Sequence, residues 1–422
     1  MILFINAITL LIILYSTRYP REYNILHPKK MFLLFFGLVQ VSGFFLIEII
    51  KFYDGGYKVE DQLLLSISII TLIALNSFLF FYFLLKKVQM SMFHLIKLPK
   101  IDGLVFKKLN IVFIIIGLSG LFIFFIKNGF TLFKIGGYEN KNLANLGIGY
   151  ARIMYGYGLN FALISYLAVG YTKKKFNITV LWSILIGSLI FVIIGGGRSS
   201  SLGLLVLTIT IALYYNRIKL RKLVLLGISF IGLVFLLTVA RYKLTFNSNN
   251  ISLFLYQFQG SFSPVDSFAK IVEVFPNNYK YNPELMFNSF LTLIPRALWV
   301  AKPINIEVAS VYFTQEVLNY KSFLTISPTL LGELFIYYGY LGIITGMFLC
   351  ALLVRVLTVI YIKSQRSLNM KIFFLLNALF SFSLFREGLS IALRDFLFFS
   401  IIFTMLSFFL KLVALSSNKN KL

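Results

Sequence analysis

The sequence predicts an all-α polytopic integral membrane protein with about eleven transmembrane helices. Three observations carry that prediction. Hydrophobic residues make up 59% of the chain and the mean hydropathy is +0.86, above the roughly 45–50% apolar content of soluble domains. The apolar residues fall in eleven runs, most near the length of about 20 residues that a spanning helix needs. The charges sit in the gaps between runs. Sorting the gaps alternately into two sides puts 24 basic and 2 acidic residues on one side, and 16 basic and 13 acidic on the other. Cytoplasmic loops are enriched in Lys and Arg, so the first side is cytoplasmic.

The runs lie near 2–17, 31–50, 63–85, 110–126, 151–171, 178–195, 200–215, 223–240, 334–362, 372–385 and 396–414. An odd number of crossings puts the N-terminus outside and the C-terminus in the cytoplasm. The basic gaps 18–30, 86–109, 172–177, 216–222, 363–371 and the tail 415–422 then all fall inside. The first run lacks a basic n-region and an A-x-A-like cleavage site, and Arg18 and Arg21 follow it, so it reads as a retained helix. The net charge of +25 is an orientation signal rather than a nucleic-acid footprint.

Several chemistries are disfavoured. The single cysteine, Cys350, sits inside an apolar run and offers no intrachain disulfide. His27 and His94 both lie in cytoplasmic gaps, leaving no outer imidazole as base or metal ligand. No D-x-D pair is present, which argues against a metal-dependent sugar-nucleotide site; neither metal nor cofactor is expected. No internal repeat or matched pair of broken helices supports an inverted-repeat transporter.

The whole of 1–422 reads as one transmembrane domain, and within it 241–333 is the one long non-spanning segment, expected outside the membrane. In it, Val265, Phe268, Ile271, Val272 and Phe275 form a stripe opposite Asp266, Lys270 and Glu273, and Pro264 after Ser263 suits a helix start. Such short amphipathic helices lie along the outer membrane boundary, either covering a site or packing on the bundle.

Charge at helix ends marks the candidate site, because a central Arg or Asp costs about 2.5–3.5 kcal/mol in a membrane. On the outer side stand Arg152, Arg198, Arg241, Arg296, Arg386 and Arg394, with Glu333, Glu387 and Asp395. Any one arginine could be an anchor snorkelling to headgroups. A converging set suits a diphosphate instead, since guanidinium binds phosphate oxygens through paired donors and keeps its charge. One such contact at 4 Å contributes roughly 4 kcal/mol at an effective permittivity near 20, against about 0–1 for an exposed ion pair. Arg386 and Arg394 are eight residues apart, near one face if their helix is continuous. Arg198 follows three glycines, Gly195, Gly196 and Gly197, and precedes Ser199, Ser200 and Ser201, a tight turn into a capped helix.

Asn128-Gly129-Phe130, Gly196-Gly197-Arg198, Arg241-Tyr242, Phe262-Ser263-Pro264 with Asp266, Ile294-Pro295 with Leu298-Trp299 and Lys302-Pro303, Ile326-Ser327-Pro328, and Arg386-Glu387-Gly388-Leu389 resemble, in order, the Wzy-type lipid-linked oligosaccharide (O-antigen) polymerases. Within them the likeness is greatest to enterobacterial common antigen polymerases. The resemblance implies a GT-C-like fold in the bacterial inner membrane. It implies transfer of a growing glycan from undecaprenyl diphosphate to a new lipid-linked repeat unit on the periplasmic face. It also implies a Wzz-type chain-length co-polymerase and a Wzx-type flippase as partners.

The expected mechanism is metal-independent, inverting glycosyl transfer. Arg198, Arg241, Arg386 and Arg394 bind the donor diphosphate, and Arg296 and Lys302 close from the loop. An acid takes the acceptor proton; the candidates are Asp266, Glu333, Glu387 and Asp395, with Asp266 preferred and Glu387 second. Asp266 could instead pair with Lys270 one turn on. Rival readings are a lipid-linked oligosaccharide flippase, an O-antigen ligase sharing the donor chemistry, and a structural membrane subunit.

Overall fold

A computed structural model describes residues 1–18, 26–54, 57–87, 103–129, 151, 154, 158, 255–256, 258–260, 263–275, 277, 280–294, 299, 301–303, 306–320, 326–365 and 367–419. Among them the secondary structure is entirely helical. The predicted runs 178–195, 200–215 and 223–240, and nearly all of 151–171, lie outside the described residues.

The chain divides into two compact units. One comprises Met1–Val88, Ile209–Arg355 and Ser381–Arg394; the other comprises Gln89–Thr208, Val356–Phe380 and Asp395–Leu422. The first carries most of the described candidate residues. It opens with α1 (Ile2–Arg18), then α2 (Pro28–Phe36), a π-turn (Gly37–Val41), α3 (Ser42–Asp54) and α4 (Asp61–Leu84). Proline fits the first turn of α2 because its missing N–H is unneeded there. The stretch Pro28–Phe52 and α4 are long and apolar enough to cross a membrane, as is Thr329–Ser364. Phe4, Leu11, Phe80 and Phe83 are exposed, as lipid-facing side chains are.

In the second unit α5 (Gly103–Asn128) is a continuous apolar helix. Gly158 approaches the backbone of α5 so closely that a Cβ would lie 2.8 Å from the Gly117 nitrogen. Phe373 and Phe403 meet with ring centroids 5.4 Å apart in the same unit.

The π-turn positions the candidate site. An extra residue in a helix releases a carbonyl from the regular ladder, and here the Val39 carbonyl accepts the Ser263 hydroxyl. The Gly43 N–H in turn donates to Ser263 Oγ at 2.9 Å. A side chain at Gly43 would place Cβ 2.6 Å from the Ser263 carbonyl oxygen, so only glycine admits this approach. Ser263 thus fixes the start of α6 (Val265–Val274) to the middle of the helical stretch Pro28–Phe52.

Helix α6 is the amphipathic helix expected from the sequence, displaced by one residue because Pro264 is its cap. It buries Val265, Phe268, Ala269, Ile271 and Val274. Val272, expected in the stripe, is only half-buried. Val265 faces Gly43, while Ile271 rests where a Cβ on Gly332 would come within 2.7 Å of it, and Phe268 meets Phe335 edge-on. Each fully buried aliphatic or phenyl side chain contributes about 1.5–3 kcal/mol, so α6 is firmly packed.

After α7 (Glu284–Leu291), α8 (Ala309–Tyr312) and a second π-turn (Phe313–Val317) comes α9 (Thr329–Ser364). The predicted span 334–362 matches its latter part, but α9 is broken at Tyr338 (φ −150°, ψ 25°) and Gly339 (φ 60°, ψ −136°). Its first segment folds back along the second, and a Cβ on Gly342 would lie 2.0 Å from the Leu334 carbonyl oxygen. The remaining stretch, 340–364, is about 37 Å long at 1.5 Å per residue, enough to cross a bilayer alone. Helices α10 (Leu368–Glu387) and α11 (Leu389–Lys419) are separated by Gly388, whose φ of +112° only glycine adopts without strain.

His27, just before α2, is 2% exposed. Burial, then Lys30, Lys29 and Arg355, push its imidazole down to about 3. An unfolded imidazole titrates near 6.5, so between pH 6.5 and 3 the unfolded chain binds the extra proton. Stability should therefore fall on acidification through that window, by up to about 1.4 kcal/mol per pH unit. The expected result is that His27→Gln unfolds with a shallower dependence on pH between 7 and 4 than the wild type. Parallel profiles of unfolding midpoint would contradict it.

Candidate functional site

Asp266, in the first turn of α6, is 23% exposed. Its Oδ1 accepts the Tyr57 hydroxyl and, at 3.5 Å, the Gln259 side-chain amide. Its Oδ2 pairs with Lys58. Tyr57 and Lys58 lie in the turn joining α3 to α4, so the hairpin of the two spans presents both donors to the loop helix. The alternative pairing with Lys270 is absent, since Lys270 bonds Glu273 at 2.9 Å.

The two donors differ in strength. Lys58 is 59% exposed, and exposed ion pairs contribute about 0–1 kcal/mol, so it leaves the carboxylate at little cost. Tyr57 is held more tightly. Burial, then the charge of Asp266, push its phenol well above the ordinary tyrosine range, so it stays protonated and donates. Its ring lies parallel to that of Tyr256, with centroids 5.6 Å apart, and Lys58 Nζ stands 5.5 Å from the Tyr256 centroid. The Tyr256 phenol is also raised, by burial and then by Asp54 and Asp266. Tyr57 thus holds one oxygen of Asp266 while Lys58 pairs with the other.

Arg386, in the last turn of α10, donates from Nη2 to the Gly260 carbonyl at 3.2 Å. The end of α10 is clamped on both sides: Gln40, from the π-turn, donates to the Phe385 carbonyl at 3.4 Å, and Ser327 donates to that of Arg386. Such bonds satisfy carbonyls that a helix C-terminus leaves open. Gln259 and Gly260 are neighbours, so the acid and this guanidinium are fastened to consecutive residues of one short segment.

A second pair of cations meets at Thr292. Arg394 Nη1 donates to its Oγ1 at 3.3 Å. Lys302 Nζ donates to its carbonyl at 3.0 Å and to that of Ile294 at 2.7 Å. Lys302 is therefore docked on carbonyls just beyond α7, where the helix dipole favours a cation. Ser289 links this group to α11 through a 2.9 Å bond to Ser390.

Arg386 and Arg394 do not share a helical face. The helix assumed in that expectation ends at Glu387 and restarts at Leu389, with Gly388 turning the chain between them. Glu333 is 1% exposed and caps the restart. Its oxygens accept the N–H groups of Leu389 and Ser390 and the hydroxyls of Ser390 and Tyr337. That carboxylate is committed to four donors, which suits an anchor better than a base. Glu387 is half-buried at the end of α10, and Asp395 is buried in α11. Arg198, Arg241, Arg296 and Arg152 lie outside the described residues.

Sequence reasoning missed Tyr57 and Lys58. The available signal was the outer gap around 51–62, which holds Lys51 and Lys58 among Asp54, Glu60 and Asp61. Tyr57→Phe removes the fixed donor to Asp266, a charged hydrogen bond of about 1.5–3 kcal/mol. The expected effect is a drop of about tenfold or more in the rate of any reaction using that carboxylate, with a loss of stability of no more than about 3 kcal/mol; an unaltered rate would separate Tyr57 from the chemistry.

A family model described as WzyE protein, O-antigen assembly polymerase, matches residues 1–419. No solved structure matches the chain.

Proposed function

We propose, from the premise that the chain belongs to the WzyE family of O-antigen assembly polymerases, that it joins lipid-linked repeat units by inverting, metal-independent glycosyl transfer at the outer membrane surface. It is a membrane enzyme of the glycosyltransferase type. The substrates are two lipid-linked oligosaccharides. One donates a growing glycan from undecaprenyl diphosphate; the other offers the hydroxyl at the non-reducing end of a new repeat unit. The enzyme sits in the inner membrane with its N-terminus periplasmic and its C-terminus cytoplasmic. It works beside a Wzz-type co-polymerase and a Wzx-type flippase, and the enterobacterial common antigen repeat is the first substrate to try.

One observation carries the mechanism: Asp266 and Arg386 are tied to the adjacent residues Gln259 and Gly260. A carboxylate that accepts a proton thus lies close in the fold to a guanidinium that stabilises a departing phosphate. The acceptor hydroxyl oxygen attacks the anomeric carbon while its proton passes to Asp266. The bond from that carbon to the phosphate oxygen breaks, and undecaprenyl diphosphate leaves with the bonding electrons. Direct displacement inverts the configuration. Arg386 and Arg394, with Arg198 and Arg241, meet the charge that develops on the leaving group. Arg296 and Lys302 complete the set from the loop, Lys302 by exchanging its carbonyl partners for phosphate. Glu387, next to Arg386, is the second candidate for the base.

The test is reconstitution of the purified protein with lipid-linked repeat units alone. A ladder of polymers is expected. Movement of lipid-linked sugar between leaflets without a ladder would point to a flippase, and product formed only in a parallel reaction that also contains lipid A core would point to a ligase.

A further inference from the structure

At the end of the α2–α4 pair remote from Asp266, Arg355 and Lys29 approach one tyrosine ring, with His27 and Lys30 close to Lys29 in the chain. Tyr82, in the last turn of α4, is 8% exposed. The Arg355 guanidinium carbon lies 3.6 Å from its ring centroid, and Arg355 Nε donates to the Tyr82 carbonyl at 2.9 Å. Lys29 Nζ stands 5.7 Å from the same centroid. His27 is buried against this group and is held uncharged by burial and by Lys30, Lys29 and Arg355 together. His27, Arg355 and Tyr82 form a buried floor, while Lys29 and Lys30 are half-buried at the rim.

Three cations brought this close repel one another, and a phosphate between the lysines removes that repulsion. The position selects the source of the phosphate. Helix α4 has 24 residues and is about 36 Å long at 1.5 Å per residue, so this group lies roughly one bilayer thickness from Tyr57 and Asp266. It sits where lipid headgroups of the opposite leaflet would be. We propose that His27, Lys29, Lys30, Arg355 and Tyr82 form a binding site for the phosphate of an anionic phospholipid headgroup. Lys29 and Lys30 donate the hydrogen bonds, and Arg355 supplies a fixed charge beneath them. The site is separate from the transfer chemistry and stands whether or not that reading holds.

The test uses the full-length protein in a neutral detergent, with unfolding midpoint read against added short-chain phosphatidylglycerol or phosphatidylcholine. Phosphatidylglycerol should stabilise the wild type saturably and phosphatidylcholine should not. At about 1 kcal/mol per lysine near an anionic surface, Lys30→Gln should raise the half-saturating concentration about fivefold. Lys29→Gln combined with Lys30→Gln should raise it roughly 25-fold. Glycerol 3-phosphate at equal concentration should not compete; full competition would keep the phosphate pocket but assign it a soluble occupant. If the double variant does not fold, Lys30→Gln and the weakening of the wild-type response by salt still decide. Equal stabilisation by both lipids, or an unchanged titration in Lys30→Gln, overturns the proposal.

Discussion

Asp266→Asn is expected to lower polymer formation by about 10²–10⁴-fold, the usual contribution of a positioned general base. Asparagine is nearly isosteric and can still accept from Tyr57 and Gln259, so the packing of α6 should survive. The buried apolar face at Val265, Phe268, Ala269 and Ile271 is untouched. The unfolding midpoint should therefore stay near that of the wild type while turnover collapses. Glu387→Gln serves as the counterpart. If the base is Asp266, Glu387→Gln retains most activity; if Glu387→Gln collapses and Asp266→Asn does not, the roles are exchanged. Initial rates with purified lipid-linked repeat units measure both.

Gly388→Ala should have the largest effect on stability. Its φ of +112° excludes an unstrained alanine, at about 1–3 kcal/mol. The new Cβ would also fall 2.4 Å from Glu333 Oε2, forcing the buried carboxylate away from the Leu389 and Ser390 N–H groups. Leaving those buried polar groups unsatisfied costs about 1–3 kcal/mol more. The combined loss should lower the unfolding midpoint by many degrees. Polymer formation should fall with it, because Gly388 sets how Arg386 on α10 and Arg394 on α11 are disposed. A midpoint within a degree of the wild type would show that the cap does not hold the two helices together.

Local pattern made several elements legible in the sequence. The run 2–17 became α1 over Ile2–Arg18, and 63–85 became α4 over Asp61–Leu84, because uninterrupted apolar residues bounded by charges admit little else. The amphipathic helix after Ser263-Pro264 was legible for the same reason. The two features that shape the site were not. The fold-back at Tyr338–Gly339 brings Leu334 against Gly342 and Gly339 so near Tyr281 that a Cβ there would lie 2.6 Å from its hydroxyl oxygen, contacts that apolar periodicity does not encode. The partner of Asp266 is Lys58, more than two hundred residues away, whereas helical spacing offered only Lys270. Gly388 did carry a usable signal, since a glycine after Arg386-Glu387 reads as a helix stop, and its weight was hidden by the apolar residues on both sides. Glu333 looked like chemistry for a sound reason, because a carboxylate in an apolar segment needs a partner. Its partners are the first N–H groups of α11.

The most direct measurement is polymerisation by purified protein given only lipid-linked repeat units, in the presence of a metal chelator, for the wild type, Arg198→Ala and Arg386→Ala. A diphosphate held by guanidinium groups predicts a full ladder from the wild type and none from either variant, with all three proteins folded. A normal ladder from both variants, or a wild-type ladder abolished by the chelator and restored by a divalent cation, would contradict it.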